Sequence, residues 1–118
     1  MLISNLELLH HMQDEVDFVL TKTKGKEKEE VLNDAVLCRA LIRSLEIIGE
    51  VAKKVDAEFK AIYSHIEWRK IAGPRDKLIH DYFGIDYDIV WDIVETKLPD
   101  LQFHIKEIFD ENDKLPEP

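Results

Sequence analysis

Apolar side chains recur at three- and four-residue steps along almost the whole chain, and this spacing is its most constraining feature. In residues 2–21 it is carried by Ile3, Leu6, Leu9, Met12, Val16, Val19 and Leu20. Such a spacing lines one face of an α-helix with apolar groups. Because the sequence contains no convincing strand alternation, internal repeat or low-complexity linker, we predict an all-α fold, a bundle of four or five helices.

The same spacing predicts where the helices lie. After a charged turn around Gly25, a long second helix is expected over residues 29–55, followed by a short helical turn at 59–63 and a further helix that begins at 66–71. Residues 74–83 and 89–109 should also be helical, and Pro99 should bend or break the last of these helices. The polar tail, residues 111–118, is expected to fray.

The size and composition favour one soluble domain. The chain has 118 residues, of which 45% are hydrophobic and 35% are charged, so it can bury a core as a single domain over residues 1–118. No apolar run approaches the ~20 residues that span a bilayer, so no membrane association is expected. The opening MLISNLELLHHMQDE does not resemble a signal peptide, and the single Cys38 cannot form an internal disulfide. We therefore predict a cytoplasmic protein.

Positive charge is concentrated in the middle of this acidic chain. The net charge is −9, but residues 1–38, 39–80 and 81–118 contribute −4, +3 and −8. A locally positive surface on an acidic protein can still bind a polyanion such as nucleic acid, with low non-specific affinity. The alternative is that these charges are the ordinary scatter of solvated helix faces.

Most familiar catalytic and metal-binding motifs are absent. The sequence has no P-loop, GxGxxG, CxxC pair, HExxH or GxSxG motif. The histidines His10, His11, His65 and His104 are scattered rather than spaced as metal ligands, and the last two lie among apolar positions that favour packing roles. We therefore predict no required metal and no cofactor.

The segment GPRDKLIHDYFGIDYDIVW concentrates groups that can carry chemistry. In a helix of roughly 100° per residue, Arg75 and Tyr82 would share the apolar stripe that Leu78 and Ile79 mark as buried. An arginine in such a stripe often lies at an interface or cleft, where its fork of donors can hold an oxyanion. Alternatively, it reaches solvent or pairs with a carboxylate such as Glu46.

The segment also resembles a known family. Residues 75–82, RDKLIHDY, match the RxxxxHxY motif of HepT-like toxins, a group within the HEPN ribonucleases. RSLEIIGEVAKK at 43–54 is similar to the second conserved helix of that group, EWRKIAGPRDKLIHDYFGID at 67–86 to its catalytic segment, and VWDIVETKLPDL at 90–101 to its last helices. Pro74 is the position that could alter the approach to Arg75.

The resemblance implies a metal-independent endoribonuclease toxin of a type VII-like toxin–antitoxin system. It implies a two-fold homodimer in which Arg75 and His80 of both chains face a composite cleft. Arg75 would hold the phosphate and His80 would transfer protons, since only histidine has an unperturbed pKa near neutrality. Asp76 would orient one of them, or simply favour the amino end of a helix.

The resemblance further implies that Tyr82 accepts adenylyl groups from a cognate minimal nucleotidyltransferase, the antitoxin. Phosphates added two residues from His80 would compete with RNA for Arg75. Without the resemblance, Tyr82 would be an ordinary core aromatic, as Trp68 and Trp91 are expected to be.

Two other functions compete with the ribonuclease. One is a catalytically idle HEPN module that binds nucleotide or docks onto a nucleotidyltransferase. The other is a plain helical interaction protein in which the motif is a coincidence, and the match in three ordered blocks argues against it.

Overall fold

The fold is helical throughout the part of the chain that the structure, a computed structural model, describes: residues 4–73 and 85–113. The helices are α1 (Asn5–Thr23), α2 (Lys28–Asn33), α3 (Ala35–Lys54), α4 (Ala57–Ile62), α5 (residues 68–73), α6 (Tyr87–Asp92) and α7 (Leu98–Asp113), and a π-helical segment (Ile93–Lys97) joins α6 to α7. Within those residues no strand occurs, which confirms the all-α prediction. None of these helices is both long and apolar enough to cross a membrane.

Helix α1 confirms the first predicted helix and has well-defined ends. The Ser4 hydroxyl accepts a hydrogen bond from the Glu7 amide at 3.1 Å and so satisfies a free donor of the first turn. At the other end, the Lys26 amide donates to the Thr23 carbonyl at 3.0 Å, and Gly25 takes a φ of 73°. This left-handed conformation favours glycine, which explains the predicted turn at this position.

The single long helix predicted over residues 29–55 is wrong, because Asp34 divides it into α2 and α3. Asp34 is extended, with φ −86° and ψ 101°, and its carboxylate accepts a hydrogen bond from the Leu37 amide at 3.0 Å. Aspartate competes with the backbone for such bonds, so it favours helix starts over helix interiors. The apolar spacing continues across Asp34 although the helix does not.

The core lies between α1, α3 and α7. Helix α1 packs against both of the others, and the largest fully buried side chains are Leu9, Met12, Val16, Val19, Val31, Leu41, Ile48, Val90, Leu98, Ile105 and Ile108. Two polar contacts accompany this packing: Ser44 donates to Glu15 at 2.9 Å, and Gln102 donates to Asp17 at 2.8 Å. Burial of one apolar stripe from each long helix is therefore what holds the bundle together.

Of the two outcomes predicted for Pro99, a bend or a break in the final helix, the break does not occur. The helix continues, and the turn before the proline is wound as a π-helix in which the Leu98 amide donates to the Ile93 carbonyl. Proline has no amide hydrogen and crowds the carbonyl four residues earlier, so a widened turn accommodates it without ending the helix. Val94 and Leu98 stay buried through this turn.

Helix α7 continues into the polar tail as far as Asp113. The side-chain amide of Asn112 donates to the Ile108 carbonyl at 2.7 Å and lies 3.4 Å from the Tyr63 hydroxyl. The last described turn of α7 is thereby linked to the loop that follows α4.

Candidate nucleic-acid interface

The turn before α5 is anchored by one backbone carbonyl. The Tyr63 carbonyl accepts hydrogen bonds from the Ile66 amide and from the indole Nε1 of Trp68, each at 3.1 Å. Ile66 and Trp68 are both buried, which confirms that Trp68 is a core residue; Trp91 is half-buried and packs against the same core. The start of α5 is therefore held in place. Pro74 comes directly after the last described residue of α5 in the sequence.

A groove of about 650 Å³ beside α5 is lined by several basic residues. Its lining comes from the end of α3, from α4, from the loop after it and from α5: Lys53, Lys60, Ser64, Ile66, Glu67, Trp68, Arg69, Lys70 and Ala72. We call it the basic groove. Four of the lining residues are cationic and one is anionic. Four basic residues of the middle third of the sequence are thus brought to one concave surface.

The one acidic residue of the basic groove is itself paired. The Lys70 ammonium lies 2.6 Å from a Glu67 carboxylate oxygen, and the Lys97 ammonium lies 3.8 Å from the other oxygen. The hydrogen bond from Lys70, the charge of Lys70 and the charge of Lys97 lower the pKa of Glu67, and the same pairing raises the pKa of Lys70. Both groups therefore stay charged near neutral pH, and the groove keeps an excess of positive charge.

The predicted catalytic and modification residues lie outside the described residues, so their geometry is not part of this structure; they are Pro74, Arg75, Asp76, His80 and Tyr82. The carboxylate proposed as an alternative partner for Arg75 does lie within them. Glu46 accepts a hydrogen bond from the Arg43 guanidinium at 3.2 Å and is about one fifth exposed. Glu46 therefore already has a cationic partner on its own helix.

The histidines expected to be packing residues are arranged differently. The His65 ring is exposed and lies 4.8 Å from the ring of His104, centroid to centroid. His104 is half-buried, and its Nδ1 lies 3.1 Å from a Glu107 carboxylate oxygen. This cluster was not predicted from the sequence, because His65 is remote in sequence from His104 and Glu107. The available signal was the three-residue step from His104 to Glu107, which places both on one face of a helix.

The two histidines of α1 do not join that cluster. His10 stacks on Phe109 of α7, with ring centroids 4.1 Å apart, and His11 is exposed. His10 therefore contributes to the contact between α1 and α7.

Comparison with known proteins identifies the protein family of this chain. A family model described as ribonuclease HepT-like matches residues 12–108, which include α5, the basic groove and the predicted motif. The chain belongs to the HepT-like ribonuclease family. This confirms the resemblance found in the sequence.

Individual relatives cover most of the chain. It is 45% identical over 100 residues to a protein of Caldanaerobacter subterraneus subsp. tengcongensis named "Putative RNase", covering 85% of this chain and 89% of the relative. It is 36% identical over 99 residues to the "Probable ribonuclease HepT" of Thermococcus cleftensis, covering 84% and 90% of the two chains. No solved structure matches the chain.

Proposed function

We propose that this protein is a metal-independent endoribonuclease toxin that acts as a two-fold homodimer through Arg75 and His80. In this proposal, a cognate minimal nucleotidyltransferase neutralises it by adenylylating Tyr82. The observation that carries the proposal is the family match over residues 12–108, because the matched region contains the whole RxxxxHxY motif.

The basic groove supports RNA as the substrate. Its cations come from α3, α4 and α5, and the described part of α5 stops two residues before Arg75 in the sequence. A single-stranded backbone can be tracked by such a groove through its phosphates, without reading the bases. The acidic remainder of the chain would repel RNA elsewhere and so favour binding at this surface.

The proposed reaction uses the ribose 2′-hydroxyl as the nucleophile. Its oxygen attacks the adjacent phosphorus, the bond from phosphorus to the 5′-oxygen breaks, and the products are a 2′,3′-cyclic phosphate and a 5′-hydroxyl. His80 of one subunit would take the 2′ proton, and His80 of the other would protonate the leaving oxygen. The two copies of Arg75 would stabilise the negative charge that develops on the phosphorane. Two-fold symmetry thus supplies both proton-transfer groups from one motif.

The proposed neutralisation is a transfer of adenylyl groups from ATP. The Tyr82 phenol oxygen attacks the α-phosphorus, pyrophosphate leaves, and the phenol proton passes to solvent. The product places a phosphate two residues from His80, where it would compete with the RNA phosphate for Arg75. Negative charge would then occupy the site that RNA needs.

The decisive experiment compares His80→Ala with Tyr82→Phe. RNA cleavage and growth are measured for each variant with and without the cognate nucleotidyltransferase and ATP, and intact mass reports adenylyl additions. His80→Ala removes the proton-transfer group, so cleavage should fall by roughly 10²–10⁴-fold. Tyr82→Phe keeps the ring and loses the acceptor oxygen, so this variant should cut RNA and escape neutralisation.

Several outcomes would contradict the proposal. If Tyr82→Phe is still modified and silenced, Tyr82 is not the acceptor; if it is inactive alone, Tyr82 belongs to the active site or the fold. Wild-type cleavage should continue with excess chelator, so a strict need for added Mg²⁺ or Mn²⁺ would exclude the mechanism. A wild-type protein that folds, leaves RNA intact and still binds nucleotide or the nucleotidyltransferase would instead be the catalytically idle module.

The proposed homodimer is tested by light scattering, which should give twice the 13.8 kDa mass of one chain.

A further inference from the structure

Three potential metal ligands meet where the loop after α4 contacts α7. They are His65, His104 and Glu107, and each offers one ligand atom that lies within 4.8 Å of the other two. The cluster shares no residue with the Arg75 to Tyr82 motif. Any function of the cluster is therefore separate from the proposed ribonuclease chemistry.

The donor set suits a divalent transition-metal ion. Two imidazoles and one carboxylate form a common protein ligand set for Zn²⁺, which also leaves a coordination position for water. In a tetrahedral site with metal bonds of ~2.0–2.1 Å, neighbouring ligand atoms lie about 3.3 Å apart. His104 Nδ1 and the Glu107 oxygen are hydrogen-bonded at 3.1 Å, close to that value, so a metal ion would replace the proton between them.

The remaining adjustment falls on the least constrained ligand. The His65 ring is exposed and meets the His104 ring edge-on, at an interplanar angle of 76°. A rotation of the exposed ring can bring its nitrogen closer without moving a helix, because exposed side chains change rotamer readily. His104 is held more firmly because it is half-buried and lies on the long helix α7.

The surrounding charges are compatible with a cation. Asp100 lies one turn before His104 on α7 and lines the same cavity as both histidines. Lys70 and Lys97 also line that cavity, but each is paired with Glu67. Three carboxylates, Glu67, Asp100 and Glu107, thus stand against two ammonium groups near the histidines, which leaves an excess of one negative charge.

We infer that His65, His104 and Glu107 form a binding site for a divalent transition-metal ion, with Zn²⁺ as the expected occupant. Bound Zn²⁺ would tie the loop after α4 to α7. Since that loop leads through the Tyr63 carbonyl to the start of α5, the ion would stabilise the segment that precedes the motif. The site would act on stability and not on the RNA cleavage chemistry.

The test is a direct measurement of Zn²⁺ binding to the full chain after removal of any affinity tag. Isothermal titration calorimetry should give one Zn²⁺ per chain for the wild type, and thermal unfolding should shift upward with Zn²⁺. Removing an outer-shell partner of a metal site typically costs roughly 10–100-fold in affinity, so His65→Ala and His104→Ala should each cost at least that. Glu107→Gln should also weaken binding.

Two matched histidine controls separate this site from others. His11→Ala removes an exposed histidine of α1 and should leave Zn²⁺ affinity unchanged. His80→Ala should also retain Zn²⁺, and its cleavage defect is read independently, so failure of the ribonuclease proposal does not decide this one. Circular dichroism establishes that each variant is folded. Absence of stoichiometric Zn²⁺ binding by the wild type, equal binding by folded His65→Ala and His104→Ala, or loss of binding in folded His80→Ala would each overturn the inference.

Discussion

Trp68→Phe should destabilise the protein and loosen the start of α5. Trp68 is 7% exposed, and its indole donates to the Tyr63 carbonyl at 3.1 Å. The carbonyl keeps its bond from the Ile66 amide, so the lost hydrogen bond costs ~0.5–1.5 kcal/mol. Complete truncation of a buried tryptophan costs ~3–5 kcal/mol, and phenylalanine keeps more than half of the ring system, which leaves about 1–2 kcal/mol for the smaller side chain.

The expected loss of unfolding free energy for Trp68→Phe is therefore about 1.5–3.5 kcal/mol, or a decrease in Tm of roughly 6–14 °C for a domain of this size. Urea unfolding followed by far-UV circular dichroism, extrapolated to water, measures it. Trp91→Phe is the matched control and should cost less, because Trp91 is only half-buried. A Trp68→Phe protein within 0.5 kcal/mol of the wild type would refute the reasoning.

Two further predictions concern the α3 cap and the basic groove. Asp34→Ala should lower the free energy of unfolding, measured with urea, by ~1 kcal/mol, because it removes the acceptor that caps α3. Asp34→Asn should keep most of this stability, and equal losses for the two variants would contradict the capping role. In a cleavage-inactive background, Lys60→Gln with Arg69→Gln should lower the slope of log K against log salt for single-stranded RNA by about 1.4. Lys22→Gln with Lys24→Gln, outside the groove, should leave the slope unchanged, and equal effects of both pairs would exclude the groove as the RNA surface.

Helix content and the buried faces were predictable from local spacing. The predicted apolar stripe of α1 is buried at Leu9, Met12, Val16 and Val19, because a helix buries the side that its three- and four-residue steps make apolar. The exact breaks were not predictable in this way. The stripe runs on across Asp34, and only the local competition of its carboxylate for the Leu37 amide ends one helix and begins another.

The final helix also shows that local spacing does not predict where a helix breaks. Pro99 marks a disturbed turn in any sequence, but whether the chain breaks or widens depends on what the flanking residues bury. Val94 and Leu98 are both held in the core, so a π-helical turn that keeps them there is favoured over a break that would expose them.

The sequence by itself determined the helical class, the basic middle third and the motif from Arg75 to Tyr82, because periodicity, charge and short motifs are local properties of a chain. Only the tertiary structure decided which distant side chains meet. It gathered Lys60 of α4 and Arg69 of α5 into the basic groove, and it placed His65 beside His104 and Glu107. Such contacts depend on how α1, α3 and α7 bury their apolar faces against one another, which no local spacing specifies.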